Sequence, residues 1–192
     1  VLRIKPGERV IIFDENGNEY NCVISQVKNK ISLDIKSRLS PQSKAGKVRL
    51  TIACAIPKKA KIDDIIDKLV QFGAHRIIPL KTERVVVKLN KHKEALRLER
   101  WKRIALSAAK QCQRNDSAII DSVKSLKEVI AASAEFDLKL IPNLLGERKS
   151  LKDIFAKTRS RNILAIIGPE GDFSPQEVSL AQAAGFIPVT LG

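Results

Sequence analysis

Short segments rich in β-branched and other apolar residues dominate the first forty residues of the chain. Three of them have the length and composition of strands. They are residues 8–14, 20–27 and 30–36. The polar residues 15–18 separate the first two segments and predict a hairpin turn. The pattern therefore predicts a small β unit at the start of the chain.

A polar, turn-rich stretch follows this β unit. Residues 37–46 contain Ser, Pro and Gly at several positions, which is typical of a linker. We expect a small β domain over residues 1–40, a linker at 41–46 and a second domain over 47–192. The chain contains no methionine, so we expect the small domain to be incomplete at its N-terminal end.

Strand-like and helix-like segments alternate through the rest of the chain. Apolar runs predict strands at residues 48–55, 75–80, 137–141 and 163–167. Helical spacing of apolar residues, or a capping signal, predicts helices over residues 59–72 and 94–112 and helix starts near Ser125, Ser150 and Ser174. This alternation predicts a mostly parallel sheet covered on both faces.

Residues 163–178 combine a buried strand, a glycine-containing loop and a helix start. Ser174 is suited to the N-cap, Pro175 to the first helical position, and Glu177 completes a capping box. Gly168 and Gly171 allow positive φ or close approach of a ligand to the backbone. Ligands bind beyond the carboxyl ends of parallel strands, so a small-molecule site and a tight structural turn are both consistent with this pattern. The spacing fits neither the dinucleotide fingerprint nor the P-loop.

The charge of the chain indicates an anionic partner. The net charge is +14 and the isoelectric point is near 9.9. Residues 81–114 carry eleven Lys or Arg against three Glu, a net charge of +8 and more than half of the total. Because basic surfaces bind phosphate backbones, this segment is the predicted RNA-binding face.

The sequence gives little support for a membrane-spanning segment or a metal site. No segment approaches the roughly 20 apolar residues of a membrane span, so we expect a cytoplasmic protein with no membrane partner. The cysteines form no Cys-x-x-Cys pair, and neither they nor the two histidines have metal-ligand spacing. We therefore expect no metal.

Residues 166–178, Ile-Ile-Gly-Pro-Glu-Gly-Asp-Phe-Ser-Pro-Gln-Glu-Val, resemble the signature of the RsmE-type 16S ribosomal RNA (uridine-N3) methyltransferases of the SPOUT class. Further stretches resemble the same family in the same order; they are residues 1–7, 76–80, 83–88, 99–105 and 108–114. Asp172 and Gln113 stand where this family usually has glycine. The family also continues past Gly192, so we expect the second domain to be incomplete at its C-terminal end.

The resemblance implies a SPOUT-type parallel sheet with a C-terminal trefoil knot, preceded by a small PUA-like β-barrel domain. It implies an S-adenosylmethionine-dependent enzyme that methylates N3 of a uridine in 16S rRNA of the small ribosomal subunit, and that acts as a homodimer. The alternatives are a SPOUT methyltransferase that acts on tRNA or another rRNA site, and a non-catalytic RNA-binding protein.

The resemblance also assigns roles to individual residues. The expected S-adenosylmethionine-binding residues are Leu140, Ile141, Pro142, Ile167, Gly168, Pro169, Glu170, Gly171, Leu191 and Gly192. The expected RNA-binding residues are Arg3, Lys68, Arg84, Lys88 and Arg114. Glu170 lies beside the expected pocket, or holds the turn by accepting hydrogen bonds from loop N–H groups. Lys68 contacts RNA, or pairs with Asp64 one turn earlier. The catalytic base that removes the N3 proton is not identified.

Overall fold

The computed structural model describes residues 4–14, 18–39, 48–57, 61–83, 91–112, 114, 116–144 and 146–191. Contacts divide the chain into two compact units. The small unit is Val1–Gly46 with Gln113–Asp116, and the large unit is Lys47–Cys112 with Ser117–Gly192. The predicted linker at 41–46 and most of the predicted hairpin turn lie outside the described residues.

The small unit contains a three-stranded antiparallel sheet in the order β1-β2-β3. Its strands are β1 (Arg9–Phe13), β2 (Glu19–Val27) and β3 (Ile31–Leu39). At the turn between β1 and β2, the Asp14 carboxylate accepts hydrogen bonds from Asn18 N at 2.9 Å and from Tyr20 Oη at 3.1 Å. Residues 37–39, which begin the polar, turn-rich stretch, continue β3 because they pair with the first residues of β2.

The large unit alternates strands and helices as predicted. Its strands are β4 (Arg49–Ala55), β5 (Arg76–Lys81), β6 (Ile119–Ile120), β7 (Lys124–Ser125), β8 (Leu138–Pro142), β9 (Lys149–Ser150), β10 (Asn162–Ile167) and β11 (Ile187–Thr190). Its helices are α1 (Ile62–Gln71), α2 (Lys91–Gln111), α3 (Leu126–Ala131), α4 (Leu151–Lys157) and α5 (Pro175–Ala183), with a 3₁₀ turn at Ser133–Glu135.

These strands form one parallel sheet in the order β6-β5-β4-β10-β8-β11-β9, with β7 also paired to β5. Strand β10 lies in the middle, where Ala165 faces Ile52 of β4 on one side and Leu140 of β8 on the other. The predicted α/β fold class, with a small antiparallel sheet before a parallel sheet, is confirmed.

The apolar run of β10 is continuous because both faces of the sheet are covered. Ile163 and Ala165 pack into the hydrophobic cluster that contains Trp101 of α2 and Ile66 of α1. Leu164 and Ile166 pack into a second cluster on the other face. That second cluster contains Phe173, Ala181 of α5 and Phe186. Successive residues of one strand thus belong to different cores.

Helices α1 and α2 agree with the helical patterns of their sequences. Helix α1 stops before Gly73, which adopts φ 95°, in agreement with the helix predicted over residues 59–72. Helix α2 buries Trp101, Ala105 and Ala108, which follow helical spacing. Cys112, which follows the last residue of the helix, is exposed.

A bidentate ion pair joins β5 to the segment after β6. Arg76 Nε and Nη2 each donate to an Asp121 carboxylate oxygen at 2.9 Å, and Lys124 Nζ lies 3.2 Å from the same carboxylate. Burial by itself would raise the pKa of Asp121, but the hydrogen bonds from Arg76 and Lys124 outweigh it, so that pKa is lowered. The hydrogen bond to Asp121 in turn raises the pKa of Arg76.

Replacing Asp121 with Asn removes the charge that Arg76 and Lys124 face, so we expect Asp121→Asn to destabilise the protein by about 1–3 kcal/mol at pH 7. A lowered pKa in the folded state stabilises it above the unfolded value of about 4, and this stabilisation is lost as the pH falls through the folded value. Urea unfolding should therefore show a difference between wild type and Asp121→Asn that is full at pH 7 and shrinks below about pH 4.

The matched control is Glu135→Gln. Glu135 lies 3.7 Å from Arg76 Nη1 with 61% of its side chain exposed, so its loss should cost less than about 1 kcal/mol. Equal effects of the two substitutions, or a pH-independent effect of Asp121→Asn, would contradict the role given to the buried carboxylate.

Candidate functional site

The candidate site lies where the neighbouring strands β10, β8 and β11 end. Because these strands are parallel, the loops that follow them, residues 168–174, residues 143–148 and residue 191, meet at one edge of the sheet. Asn143 N donates to Val189 O at 3.4 Å, which joins the start of the loop after β8 to β11. The strand order therefore brings the three loops to the same edge.

The loop after β10 turns tightly against a buried ring. Asp172 N donates to Pro169 O at 3.0 Å and closes the turn. A Cβ atom on Gly168 would lie 3.0 Å from Cε2 of Phe173, which is 4% exposed. A side chain at Gly168 would therefore require the ring to shift by a few tenths of an ångström. The left-handed residue of the loop is Asp172, with φ 58°.

Asp172 connects the loops after β8 and β10. Its carboxylate accepts one hydrogen bond from Leu144 N and one from Phe173 N, both at 2.8 Å. Asp is among the few residues other than glycine that enter the left-handed region readily. It can therefore replace the glycine expected at this position and add a connection that glycine cannot make.

Glu170 does not hold the turn. It is exposed, and its carboxylate accepts no hydrogen bond from the residues that the structure describes. The interpretation in which Glu170 binds loop N–H groups is wrong, because Asp172 makes these bonds instead. Glu170 remains a carboxylate at the solvent side of the loop.

The start of α5 follows the predicted capping box. Ser174 Oγ accepts from Glu177 N at 3.2 Å, and Glu177 Oε2 accepts from Ser174 N at 2.9 Å. Pro175 occupies the first turn. Glu177 is only 5% exposed, which is unusual for a glutamate on a surface helix.

A cavity of about 500 Å³ lies between these loops and α5, a volume typical of small-molecule sites. Its apolar wall includes Leu144, Phe173 and Val178, and its polar wall includes the carboxylates of Glu147 and Asp172. Of the predicted cofactor-binding residues, Gly171 lines this cavity. The Asp172 bridge and the Phe173 ring were not predicted.

The remaining predicted cofactor-binding residues lie around the loops but differ in exposure. The side chains of Leu140 and Ile141 are buried in the two hydrophobic clusters, so only their backbone can meet a ligand. Pro142, Ile167, Gly168 and Pro169 are half-buried, and Leu191 is exposed. Gly192 lies outside the described residues.

The predicted RNA-binding residues are distributed over both units. Arg3, Arg84 and Lys88 lie outside the described residues. Lys68 is exposed on α1 and lies 3.4 Å from Asp67, so the predicted pairing with Asp64 is wrong. Arg114 Nη2 lies 3.2 Å from the Asp116 carboxylate, and 18% of its side chain is exposed.

Helix α2 has a basic exposed face. Its exposed basic residues are Lys93, Arg97, Arg100, Lys102, Arg103 and Lys110. Ion pairs connect Arg100 to Asp63 and Lys102 to Glu99. The opposite face of the helix is buried, so this surface presents cations without exposing the core.

The described part of the chain offers neither a metal site nor a reactive thiol at Cys54. It contains no group of His, Cys, Asp and Glu side chains that could hold a metal ion, and no helix long and apolar enough to cross a membrane. Cys54 lies near the carboxyl end of β4, where burial raises its pKa to about 11. Its thiol is therefore protonated at neutral pH and is a weak nucleophile.

Two family models match the chain. The model described as RNA methyltransferase domain matches residues 44–192, and the model described as RNA methyltransferase PUA domain matches residues 1–36. The first match contains the loop after β10, the cavity and α2. The second contains β1, β2 and most of β3. The resemblance inferred from the sequence is confirmed by these matches.

Named relatives cover most of the chain. Ribosomal RNA small subunit methyltransferase E of Bacillus subtilis is 29% identical over 184 residues, which are 93% of this chain and 72% of that protein. A Legionella pneumophila methyltransferase solved with the cofactor S-adenosylmethionine is 31% identical, with a TM-score of 0.84 over 99% of this chain and 77% of that chain.

A second solved structure carries the same name as the Bacillus protein. Ribosomal RNA small subunit methyltransferase E of Neisseria gonorrhoeae, bound to S-adenosylmethionine, is 26% identical, with a TM-score of 0.84 over 99% of this chain and 77% of that chain. This chain therefore spans about three quarters of the length of these relatives.

The Asp172 bridge predicts an order among substitutions. Asp172→Ala removes both hydrogen bonds and leaves a residue that is strained at positive φ, so we expect a loss of about 1–3 kcal/mol in the free energy of unfolding. Asp172→Gly removes the same bonds without the strain and should cost less. In both variants the Leu144 amide should exchange its hydrogen faster than in wild type. Unchanged exchange at Leu144 would show that the bridge does not form.

Proposed function

Because the chain belongs to the RNA methyltransferase domain family, we propose that it transfers the methyl group of S-adenosylmethionine to N3 of a uridine in 16S rRNA of the small ribosomal subunit. The observation that carries this proposal is the family match over residues 44–192, which contains both the loop after β10 and the basic helix α2. Relatives named as ribosomal RNA small subunit methyltransferases support the choice of RNA.

The lining of the cavity fits the proposed methyl donor. S-adenosylmethionine carries a positive sulfonium and an ammonium group, and the carboxylates of Glu147 and Asp172 supply the opposite charge. Leu144, Phe173 and Val178 supply apolar surface for its adenine ring. Of the expected cofactor-binding residues, Gly171 lines this cavity, and the proposal keeps the others, at residues 140–142, 167–170 and 191–192, as further contacts of the donor.

Positioning is the main contribution that these residues make to the reaction. When bound, S-adenosylmethionine supplies an electrophilic methyl group. The loops after β8 and β10 fix the orientation of the donor, because Asp172 ties one to the other. The buried wall at Phe173 keeps water from one side of the donor. The proposal names no side chain as the base that accepts the N3 proton.

RNA binding is assigned to the basic surfaces of both units. The exposed cations of α2 lie in the segment of highest positive charge, and they favour phosphate contacts. In the small unit, Arg9 and Lys36 line an open depression of about 630 Å³ on the antiparallel sheet. The proposal keeps Arg3, Lys68, Arg84, Lys88 and Arg114 as RNA contacts. Of these, Arg114 must share its guanidinium with Asp116.

Three further features belong to the proposal because the family resemblance implies them. They are a C-terminal trefoil knot around the donor loops, a homodimer, and a cytoplasmic location, where ribosomal RNA is the substrate.

Methyl transfer to defined RNAs tests the proposed function. The full chain is incubated with methyl-labelled S-adenosylmethionine and, in parallel, with small subunits, protein-free 16S rRNA and tRNA from a strain that lacks the enzyme. We expect label in 16S rRNA, as naked RNA or in the subunit, and 3-methyluridine in the digested product. Label in tRNA alone would favour the other enzyme class, and RNA binding without any transfer would favour a non-catalytic binding protein. Either result would refute the proposal.

Gly168→Val serves as the inactive control in the same experiment. A branched side chain collides with the Phe173 ring and displaces the loop after β10, which we call the donor loop. Donor affinity measured by calorimetry should therefore fall about tenfold or more. RNA binding should not change. Adding Phe173→Leu makes room for the new side chain and should restore part of the donor affinity, if the protein remains folded by thermal melting.

A further inference from the structure

Two glutamates and a serine connect α5 to Glu83, which lies two residues after β5. Glu177 Oε1 accepts a hydrogen bond from Glu83 N at 3.1 Å, and Ser174 Oγ donates to Glu83 Oε2 at 3.0 Å. The two contacts span more than ninety residues of sequence. Glu83 is thus held through its backbone and through its side chain by the first turn of α5.

The burial of Glu177 is explained by these contacts. Its two carboxylate oxygens accept from two backbone N–H groups, that of Ser174 within the cap and that of Glu83 from another element. A buried carboxylate is expensive unless such partners are present. Its place at the positive end of the α5 dipole adds further stabilisation.

A second capping box in the same chain shows which hydrogen bonds belong to the cap itself. Ser125 and Glu128 form the box of α3 with the same internal hydrogen bonds. Among the described residues, however, the Glu128 carboxylate accepts hydrogen bonds only from Ser125, and Glu128 is exposed. The bond from Glu177 to Glu83 is therefore an addition to the capping function.

Glu83 immediately precedes the basic segment that contains Arg84 and Lys88, and Ser174 ends the donor loop. We propose that Glu177 and Ser174 are positioning residues that hold Glu83 against α5, and that holding Glu83 in this place supports RNA binding by the chain. This inference rests on the proposed function, since it assigns the basic segment to RNA.

Glu83 lies in a cleft of mixed charge. Lys81, Glu83, Lys127 and Glu177 line this cleft, which has a volume of about 450 Å³ and lies between the end of β5, the start of α3 and α5. The carboxylate of Glu83 repels phosphate, so its charge alone would oppose RNA binding. Its hydrogen bond to Ser174 would favour binding by holding Glu83 in place.

The charge of Glu83 and its hydrogen bond are expected to have opposite effects on RNA binding. Two uncharged variants of Glu83 separate these effects. Glu83→Ala loses the acceptor for Ser174 Oγ, and Glu83→Gln keeps an acceptor oxygen. Affinity for a 16S rRNA fragment is measured by fluorescence anisotropy, and donor affinity by calorimetry. We expect Glu83→Ala to weaken RNA binding about fivefold or more, Glu83→Gln to bind at least as well as wild type, and donor affinity to stay within about twofold in both.

Glu177→Gln tests the backbone contact. Its amide has one acceptor oxygen, so Ser174 N and Glu83 N cannot both be satisfied, and RNA affinity should again fall about fivefold. The matched control, Glu128→Gln, alters a capping box without such a bridge and should leave RNA affinity unchanged. If Glu177→Gln does not fold, the Glu83 pair still decides, because Glu83 is exposed and lies outside the helix.

The outcomes separate this inference from the proposed function. Equal RNA affinity of Glu83→Ala and Glu83→Gln overturns the positioning role while the proposed function stands. Failure of the wild-type protein to bind 16S rRNA overturns the proposed function and the positioning role together.

Discussion

Strand β10 is paired with a parallel neighbour on each side and is buried on both faces, and this constraint decides where the loops of the large unit meet. The strand contributes side chains to two separate hydrophobic clusters. It therefore cannot slip or rotate without disrupting both cores. Its carboxyl end is fixed beside the ends of β4 and β8, and the loop after β10 is held on a rigid base.

Polar contacts at this edge convert a common arrangement of strands into a specific site. Asp172 ties the loop after β10 to the loop after β8, and Ser174 and Glu177 tie α5 to Glu83, two residues after β5. The same short segment thus has a packing constraint at Gly168, a bridge at Asp172 and a cap that extends to another element. Together these contacts connect the loops that line the cavity to Glu83, which precedes Arg84 in the sequence.

The features that were predicted from the sequence depend on local patterns. The apolar run of β10, the capping boxes at Ser125 and Ser174 and the stop at Gly73 all involve residues within a few positions of one another. The two-residue strands β6, β7 and β9 were missed because their neighbours in the sheet determine them. The same limit applies at the site: the bonds of Asp172 to Leu144 and of Glu177 to Glu83 join residues 28 and 94 positions apart.

The central claim is that the loop after β10 holds the methyl donor at the edge of the sheet. Hydrogen exchange of the full chain, with and without S-adenosylmethionine, tests it most directly because it locates the protected amides. The account predicts slower exchange within residues 140–144 and 168–174 on addition of the donor, and no change in the small antiparallel sheet. Protection elsewhere in the chain, with none in residues 168–174, would contradict it.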